Sequence, residues 1–243
     1  MGAFLHQIRR GAIGLVLAAT QLLVVGVWLS ASQATEPAAP APTAASHKVI
    51  YVPPKRGAPA NRVGGGSRGL GDSMASVWVI APQETGLAGT EQPKLYWYVS
   101  KPTTIRVELS LVDQKQVEPL LLLNIDPPAG GGFQFVDLAG NGVKLQADVD
   151  YQWSVALVVD SDQRSKDVLA SGTIRYVPLP PAMQDTLTRE SSLANVAVYA
   201  AHGYWYDAFA IVMQMSAGSP QDQELIGYRA DLLKQVALPD SGN

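Results

Sequence analysis

The sequence of 243 residues contains no cysteine. This absence excludes a disulfide framework, thiol catalysis and thiolate metal sites, so burial of apolar side chains has to hold the fold together. Only three histidines are present, and one of them, His6, lies at the N-terminus. His202 falls at the end of a predicted helix, where an interaction with the helix dipole is its simplest role. The sequence therefore predicts neither a metal site nor a cofactor.

Charged residues are also sparse, at 16% of the chain. The 18 basic residues are outnumbered by 21 acidic ones, and the net charge is −3 at pH 7. A nucleic-acid partner would require a basic surface to neutralise phosphates. We therefore expect no nucleic-acid partner.

Residues 1–34 have the pattern of an export signal. Arg9 and Arg10 form a basic start, an apolar run follows over residues 11–29, and Ser32-Gln33-Ala34 offers small residues for cleavage. The apolar run is close to the length that spans a bilayer, so retention as an inner-membrane anchor is the alternative. We expect the remainder to lie in the periplasm or at the cell surface, and to meet a membrane only through this segment. Residues 35–53, rich in alanine and proline, are predicted to be a flexible tether.

Residues 54–75 form a basic, glycine-rich block that contains Arg56, Arg62 and Arg68. Its Gly64–Gly69 stretch fits a G-x-G-x-x-G pattern, but dinucleotide binding would need a preceding strand and a following helix, which the pattern here does not predict. The simplest interpretation is a structural loop in which glycines allow close backbone approach. The alternative is that the three guanidinium groups bind an anionic sugar or a phosphate.

Residues 76–178 alternate apolar and polar side chains, as strands do. Ile105, Val107, Leu109 and Leu111 give the clearest example. Seven strands are predicted: Ser76–Ala81, Lys94–Ser100, Thr104–Val112, Val117–Asn124, Gly132–Leu138, Tyr151–Asp160 and Val168–Val177. The spacing of Leu145 and Tyr151 resembles a tyrosine corner, in which the hydroxyl bonds to backbone upstream of its own strand. These features favour a seven-stranded antiparallel sandwich of immunoglobulin or fibronectin type.

Residues 182–238 switch to helical periodicity and predict a small three-helix region, so the fold class is α+β. Ser191 or Ser192 would cap a helix that ends before Gly203, a second helix would run to about Ala217, and a third would begin after Pro220. The spacing of aromatic residues, Gly203 and Pro220 is typical of one tetratricopeptide unit. A single unit does not form a stable array, so we expect a helical hairpin and a capping helix docked on the sandwich. The side of the sheet that carries Tyr96 and Tyr98 is apolar enough to accept them.

Three groups of motifs resemble a domain-of-unknown-function family found chiefly in exported cyanobacterial proteins. They are the block of Arg56-Gly57-Ala58-Pro59 with Gly64–Gly69, the segment from Tyr151-Gln152-Trp153 to Asp160 and Arg164-Ser165, and Gly203-Tyr204-Trp205-Tyr206-Asp207-Ala208. Members of that family often carry a cysteine after the glycine-rich block and another before the aspartate at 160. Neither cysteine is present here, so a disulfide or thiol role does not transfer. The resemblance implies no activity.

No catalytic constellation is predicted, and we expect a non-catalytic binding or interaction module whose partner is an envelope protein or polysaccharide. The candidate ligand-binding residues are the three arginines already named together with Asp160, Arg164, Trp205 and Asp207. Asp160 and Arg164 share a loop with Asp162 and Asp167, for which internal Asp–Arg pairing is the simpler interpretation. The alternative function is a carbohydrate-binding protein or an enzyme that acts on envelope glycans, with Tyr96, Tyr98, Tyr204 and Tyr206 as a sugar platform.

Overall fold

The structure is a computed structural model that describes residues 49–54, 74–113, 115–116 and 118–238. These residues all belong to one compact unit that begins at Ser46. The predicted export segment, most of the predicted tether, and Arg56, Arg62 and Arg68 lie outside the described residues. Within the described part, no helix is long and apolar enough to span a membrane.

Two β-sheets and four α-helices make up the described chain. The strands are β1 (Val77–Val79), β2 (Gly86–Ala88), β3 (Lys94–Val99), β4 (Arg106–Asp113), β5 (Leu121–Ile125), β6 (Gly132–Asp137), β7 (Asp150–Val158) and β8 (Val168–Tyr176). The helices are α1 (Pro181–Gln184), α2 (Leu193–Ala201), α3 (Trp205–Gly218) and α4 (Gln223–Gln235), with a 3₁₀ turn at Arg164–Lys166. The strand orders are β1-β3-β6 and β2-β8-β7-β4-β5.

The prediction of seven antiparallel strands is wrong by one strand and one pairing. Each of the seven predicted segments overlaps a strand, but β2 was not predicted, and it pairs in parallel with β8. The five-stranded sheet is therefore mixed. Glycine has a low strand propensity, so the Gly-Leu-Ala sequence of β2 carries no strand signal.

The two sheets meet where β1 contacts β7 and β8. At this contact a Cβ atom added to Gly172 would lie 2.7 Å from the Cβ of Ala81, so only glycine allows the sheets to approach this closely. Val107, Leu109 and Leu111 are fully buried, as their alternation predicted. The backbone N–H of Gln146 donates to the Tyr151 hydroxyl at 3.1 Å, which confirms the bond expected of a tyrosine corner.

The helices begin and end close to the predicted residues. Ser192 caps α2 by accepting a hydrogen bond from the backbone N–H of Asn195 at 3.2 Å. Gly203 follows α2 with a φ of +83°, a conformation that a side chain would strain. Helix α3 contacts α2, α4, β2 and β3, so it connects the helical region to both sheets. The short helix α1 was not predicted.

The end of the predicted tether is held against the helices instead of standing free. Val49 and Tyr51 are buried. The side chain of Gln235 donates to the carbonyl of Val49 and accepts from the backbone N–H of Tyr51, both at 2.8 Å. Val52 donates its backbone N–H to the carbonyl of Ala200 at 3.0 Å. The backbone groups of residues 49–52 therefore find hydrogen-bond partners on two helices, α2 and α4. The composition of the segment does not reveal these partners, because they come from residues far along the chain.

Candidate ligand-binding site at Asp207

The first turn of α3 inserts two aromatic side chains into the core. Trp205 is fully buried, and its indole nitrogen donates to the carbonyl of Ile80 at 3.2 Å. The Tyr206 hydroxyl accepts from the indole nitrogen of Trp153 at 2.9 Å and donates to the carbonyl of Thr173 at 3.1 Å. Both residues therefore fix α3 to the sheets. Both side chains are buried, and Tyr206 also lies against the cavity described below.

Asp207, the next residue, points to a different side of α3. Its Oδ2 accepts a hydrogen bond from the backbone N–H of Gly89 at 2.7 Å, just beyond β2. The residue keeps a partly exposed surface, but burial of the carboxyl raises its pKa from 3.8 to about 7, against the opposing effect of its backbone hydrogen bonds. Near neutral pH this carboxyl therefore exists in both protonation states, and it can both donate and accept hydrogen bonds.

A cavity of about 200 Å³ opens beside Asp207. Its lining residues include five with polar side chains, Thr90, Gln92, Lys94, Asp207 and Gln214, beside Pro93, Tyr206 and Ala210, and most of the lining surface is apolar. Strand β3 contributes Lys94, and α3 contributes Asp207 and Gln214, so the docking of α3 on the sheet creates the site. The cavity thus combines a carboxyl, an ammonium, two amides and a hydroxyl within a small volume.

An exposed aromatic ring contacts Lys94, one of the residues that line this cavity. The Lys94 Nζ lies 5.0 Å from the ring centroid of Phe135, its diagonal neighbour on β6. Phe135 is 53% exposed, although Tyr96 packs against its ring with the centroids 5.5 Å apart. No ion pair involves Lys94 among the described residues, so its ammonium is held by a weak cation–π contact.

Ion pairs engage four of the five charged residues in the Asp160–Asp167 loop, Asp160, Arg164, Lys166 and Asp167. Arg164 donates through NH2 to Glu108 at 2.6 Å and through Nε to Asp167 at 2.6 Å, and Asp160 pairs with Lys166 at 3.5 Å. The hydrogen bond from Arg164 lowers the pKa of Glu108. The predicted Asp–Arg pairing is thereby confirmed, and it leaves the Arg164 guanidinium occupied on two of its edges.

The sequence profile of a family described as Domain of Unknown Function (DUF928) matches residues 63–243, about three quarters of the chain. The chain belongs to this family. A comparison with curated proteins finds no match. The family resemblance drawn from the sequence motifs is confirmed at this level, whereas an exported, cyanobacterial character stays a prediction.

The motif of the DUF928 chain that begins at Gly203 divides into residues with different roles. The structure brings Asp207 to the cavity and places Trp205 in the core, out of a ligand's reach. Asp160 and Arg164 lie in a separate exposed loop, and Arg56, Arg62 and Arg68 fall outside the described residues. Among described residues, no group of three or more acidic or histidine side chains is arranged to hold a metal ion.

The predicted tyrosine platform does not form on the DUF928 domain. Tyr96, Tyr204 and Tyr206 are buried, and Tyr98 is only partly exposed between Trp78 and Phe133. Among the described residues, the exposed aromatic side chain is instead Phe135, which falls in the predicted strand Gly132–Leu138 and was given no role. Alternation could have placed Phe135 on the face opposite Val136, but not beside Lys94, because that depends on the register between β3 and β6.

Proposed function

We propose that this DUF928 protein is a non-catalytic binding module of the cell envelope that holds a sugar at the Asp207 cavity. The observation that carries the proposal is a small cavity lined by Lys94, Asp207 and two glutamines, with the exposed Phe135 ring packed against the ammonium of Lys94. A pyranose has apolar C–H faces and a rim of hydroxyl groups. It therefore fits a site in which an aromatic edge adjoins donors and acceptors.

Size and protonation also support a sugar. A cavity of about 200 Å³ has the size of one sugar unit of a longer chain and is too small for a nucleotide. Each hydroxyl both donates and accepts, and the Asp207 carboxyl can match either role near neutral pH. The ammonium of Lys94 has no ion-pair partner among the described residues, so it would favour a sugar with a carboxylate over a neutral one.

The proposal includes the architecture and the location. An immunoglobulin- or fibronectin-like sandwich is supported by the packing of β1 on β7 and β8 and by the bond between Gln146 and Tyr151. Export to the periplasm or the cell surface is supported by residues 1–34, with residues 11–29 as the anchor if cleavage does not occur. Fractionation of cells with an antibody to the C-terminal helices tests the location, and recovery of the protein in the cytosol would contradict it.

The rival function is hydrolysis of an envelope glycan. Glycosidases of the usual kind require two carboxylates, about 5 Å apart in retaining enzymes and about 6.5–9.5 Å apart in inverting ones. The cavity wall contains one carboxylate, Asp207. This composition favours binding over hydrolysis, and product analysis after long incubation with envelope polysaccharide provides the direct check.

The test is a titration of the full chain, purified in mild detergent, with glucose, N-acetylglucosamine and glucuronic acid, followed by NMR. We expect the resonances of Lys94, Phe135 and Gln214 to shift with a dissociation constant near 1 mM, which corresponds to about −4 kcal/mol. Lys94→Gln should weaken the glucuronic acid complex selectively, and Phe135→Ala should weaken all complexes. Leu169→Ala is the control, because Leu169 is 45% exposed on the other sheet. Saturation without shifts at these residues, or no binding at about 10 mM of any sugar, would overturn the proposal.

A further inference from the structure

Strand β5 is an open edge of the five-stranded sheet. Within residues 74–113, 115–116 and 118–238, β4 is the only strand that pairs with it. The far side of an edge strand presents a row of backbone N–H and C=O groups, which is a template for another strand. The opposite edge of the same sheet, β2, differs because α3 covers it and the carbonyl of Gly203 accepts the Leu87 N–H at 3.3 Å.

The side chains of β5 itself carry none of the usual features that discourage pairing. Natural edge strands usually carry a charge, a proline or a bulge that blocks addition of a further strand. Residues Leu121–Ile125 contain no charge and no proline, and they pair with β4 in continuous register. Leu122 is 53% exposed and the preceding Leu120 is 44% exposed. The edge therefore combines free backbone groups with apolar side chains.

Charges at both ends of the edge indicate what kind of strand it takes. Glu118 precedes the apolar run and Asp126 follows it, and both are exposed. No ion pair involves either carboxylate among the described residues, although Arg106 and Lys115 lie on the neighbouring strand and turn. An extended segment with basic residues at the same spacing would meet a carboxylate at each end.

Two ways of pairing this edge with a second copy of the chain bring like charges together. Antiparallel pairing of two β5 strands centred on Leu122 would set Glu118 of each copy opposite Asp126 of the other. Parallel pairing in register would set each carboxylate opposite itself. Like charges directly opposite each other are destabilising, so the end charges disfavour both arrangements.

We propose that β5 binds an extended segment of another protein, in which alternating apolar residues lie between two basic residues, by adding it as a sixth strand. Main-chain hydrogen bonds along Leu121–Ile125 hold the segment, and Leu122 contacts its side chains on the outer face. The partly buried Leu121, Leu123 and Ile125 on the inner face become covered by the same addition. The carboxylates at both ends select basic flanks and oppose acidic ones.

The probe is a synthetic peptide with lysine at both ends, spaced like Glu118 and Asp126, and alternating valine and threonine between them. It is titrated into the full chain in mild detergent by fluorescence anisotropy, and hydrogen exchange is measured with and without peptide. We expect saturable binding, slowed exchange of the β5 amides, and binding about tenfold weaker for the same peptide with glutamate at both ends.

Three variants make the test specific. Leu122→Lys places a charge on the exposed face of the edge and should weaken binding about tenfold, whereas Leu169→Lys, on β8 away from this edge, should leave it unchanged. The double variant Glu118→Lys and Asp126→Lys should reverse the preference in favour of the glutamate-ended peptide. Equal affinity for both peptides, unchanged exchange in β5, or a dimer that the Leu122→Lys variant dissociates would each overturn the proposal.

Discussion

Replacement of Asp207 by asparagine should remove a pH-dependent loss of stability from the folded chain. Asparagine has the same shape as aspartate, and its carbonyl oxygen can accept the Gly89 N–H that now donates to Oδ2 at 2.7 Å. The substitution therefore keeps the bond between α3 and the end of β2. What it removes is the ability of the side chain to become charged in a buried position.

The magnitude follows from the pKa of the carboxyl, which burial raises from 3.8 to about 7. Well below the ordinary pKa of 3.8 the carboxyl is protonated in both the folded and the unfolded chain, so its protonation contributes no pH dependence. Between pH 4 and pH 7 the unfolded chain loses the proton and the folded chain keeps it, so the free energy of unfolding falls as pH rises. At about 1.4 kcal/mol per pKa unit, the loss reaches at most about 4 kcal/mol above pH 7. Because the residue is partly exposed, we expect a loss of about 1–4 kcal/mol.

The assay is urea denaturation of wild type and Asp207→Asn at pH 5 and pH 8. The variant should be more stable than wild type at pH 8, and the difference should be smaller at pH 5. Asp222→Asn is the matched control, since Asp222 also accepts from backbone N–H groups at the start of a helix but is exposed. If the free energies of unfolding of wild type and Asp207→Asn change by the same amount between pH 5 and pH 8, the explanation by burial of the Asp207 carboxyl is refuted.

Two further substitutions test how the sheets and α3 are joined. Tyr206→Phe removes the hydroxyl that accepts from Trp153 and leaves a buried indole N–H without its partner. It should therefore lower the free energy of unfolding, measured by urea denaturation, by about 1–3 kcal/mol. An unchanged urea midpoint would mean that the bond contributes nothing. Gly172→Ala should lower the free energy of unfolding by about 1–3 kcal/mol, because its methyl group would meet the Cβ of Ala81 at 2.7 Å. Its control is Gly227→Ala, which lies in open space within α4 and should raise the free energy of unfolding by up to about 1 kcal/mol. Thermal shifts of the same sign for these two alanine variants would contradict the close contact between the sheets.

The strands were predictable where burial imposes a period on the sequence. Strand β4 alternates without exception from Val107 to Leu111 because one face lies in the core. Strand β2 gave no such signal, because its position in the fold requires small side chains. A Cβ atom on Gly86 would lie 2.8 Å from the ring of Tyr206, which comes from a helix far along the chain. That requirement is tertiary, and no local pattern encodes it.

The site was predictable only in part, for a geometric reason. Each step along a helix turns the side chain by about 100°. Trp205 and Asp207 are two positions apart, so they point to nearly opposite sides of α3 and could not both face the same surroundings. The sequence placed both residues at one motif and predicted ligand contact for both. Which of them faces the core was decided by how α3 docks on β2 and β3. Lys94 and Phe135 were missed because only the register between two strands brings them together.

The two edges of the five-stranded sheet explain why the site and the proposed docking strand lie apart. Strand β2 is short and parallel to β8, and α3 covers it, so its side of the sheet is committed to holding the helix that carries Asp207. Strand β5 has no such cover in the described chain, and its neighbour β4 is already paired on both sides. A strand added at β5 therefore extends the sheet without moving α3. A sugar at Asp207 and a peptide at β5 should consequently bind independently, each leaving the affinity of the other unchanged.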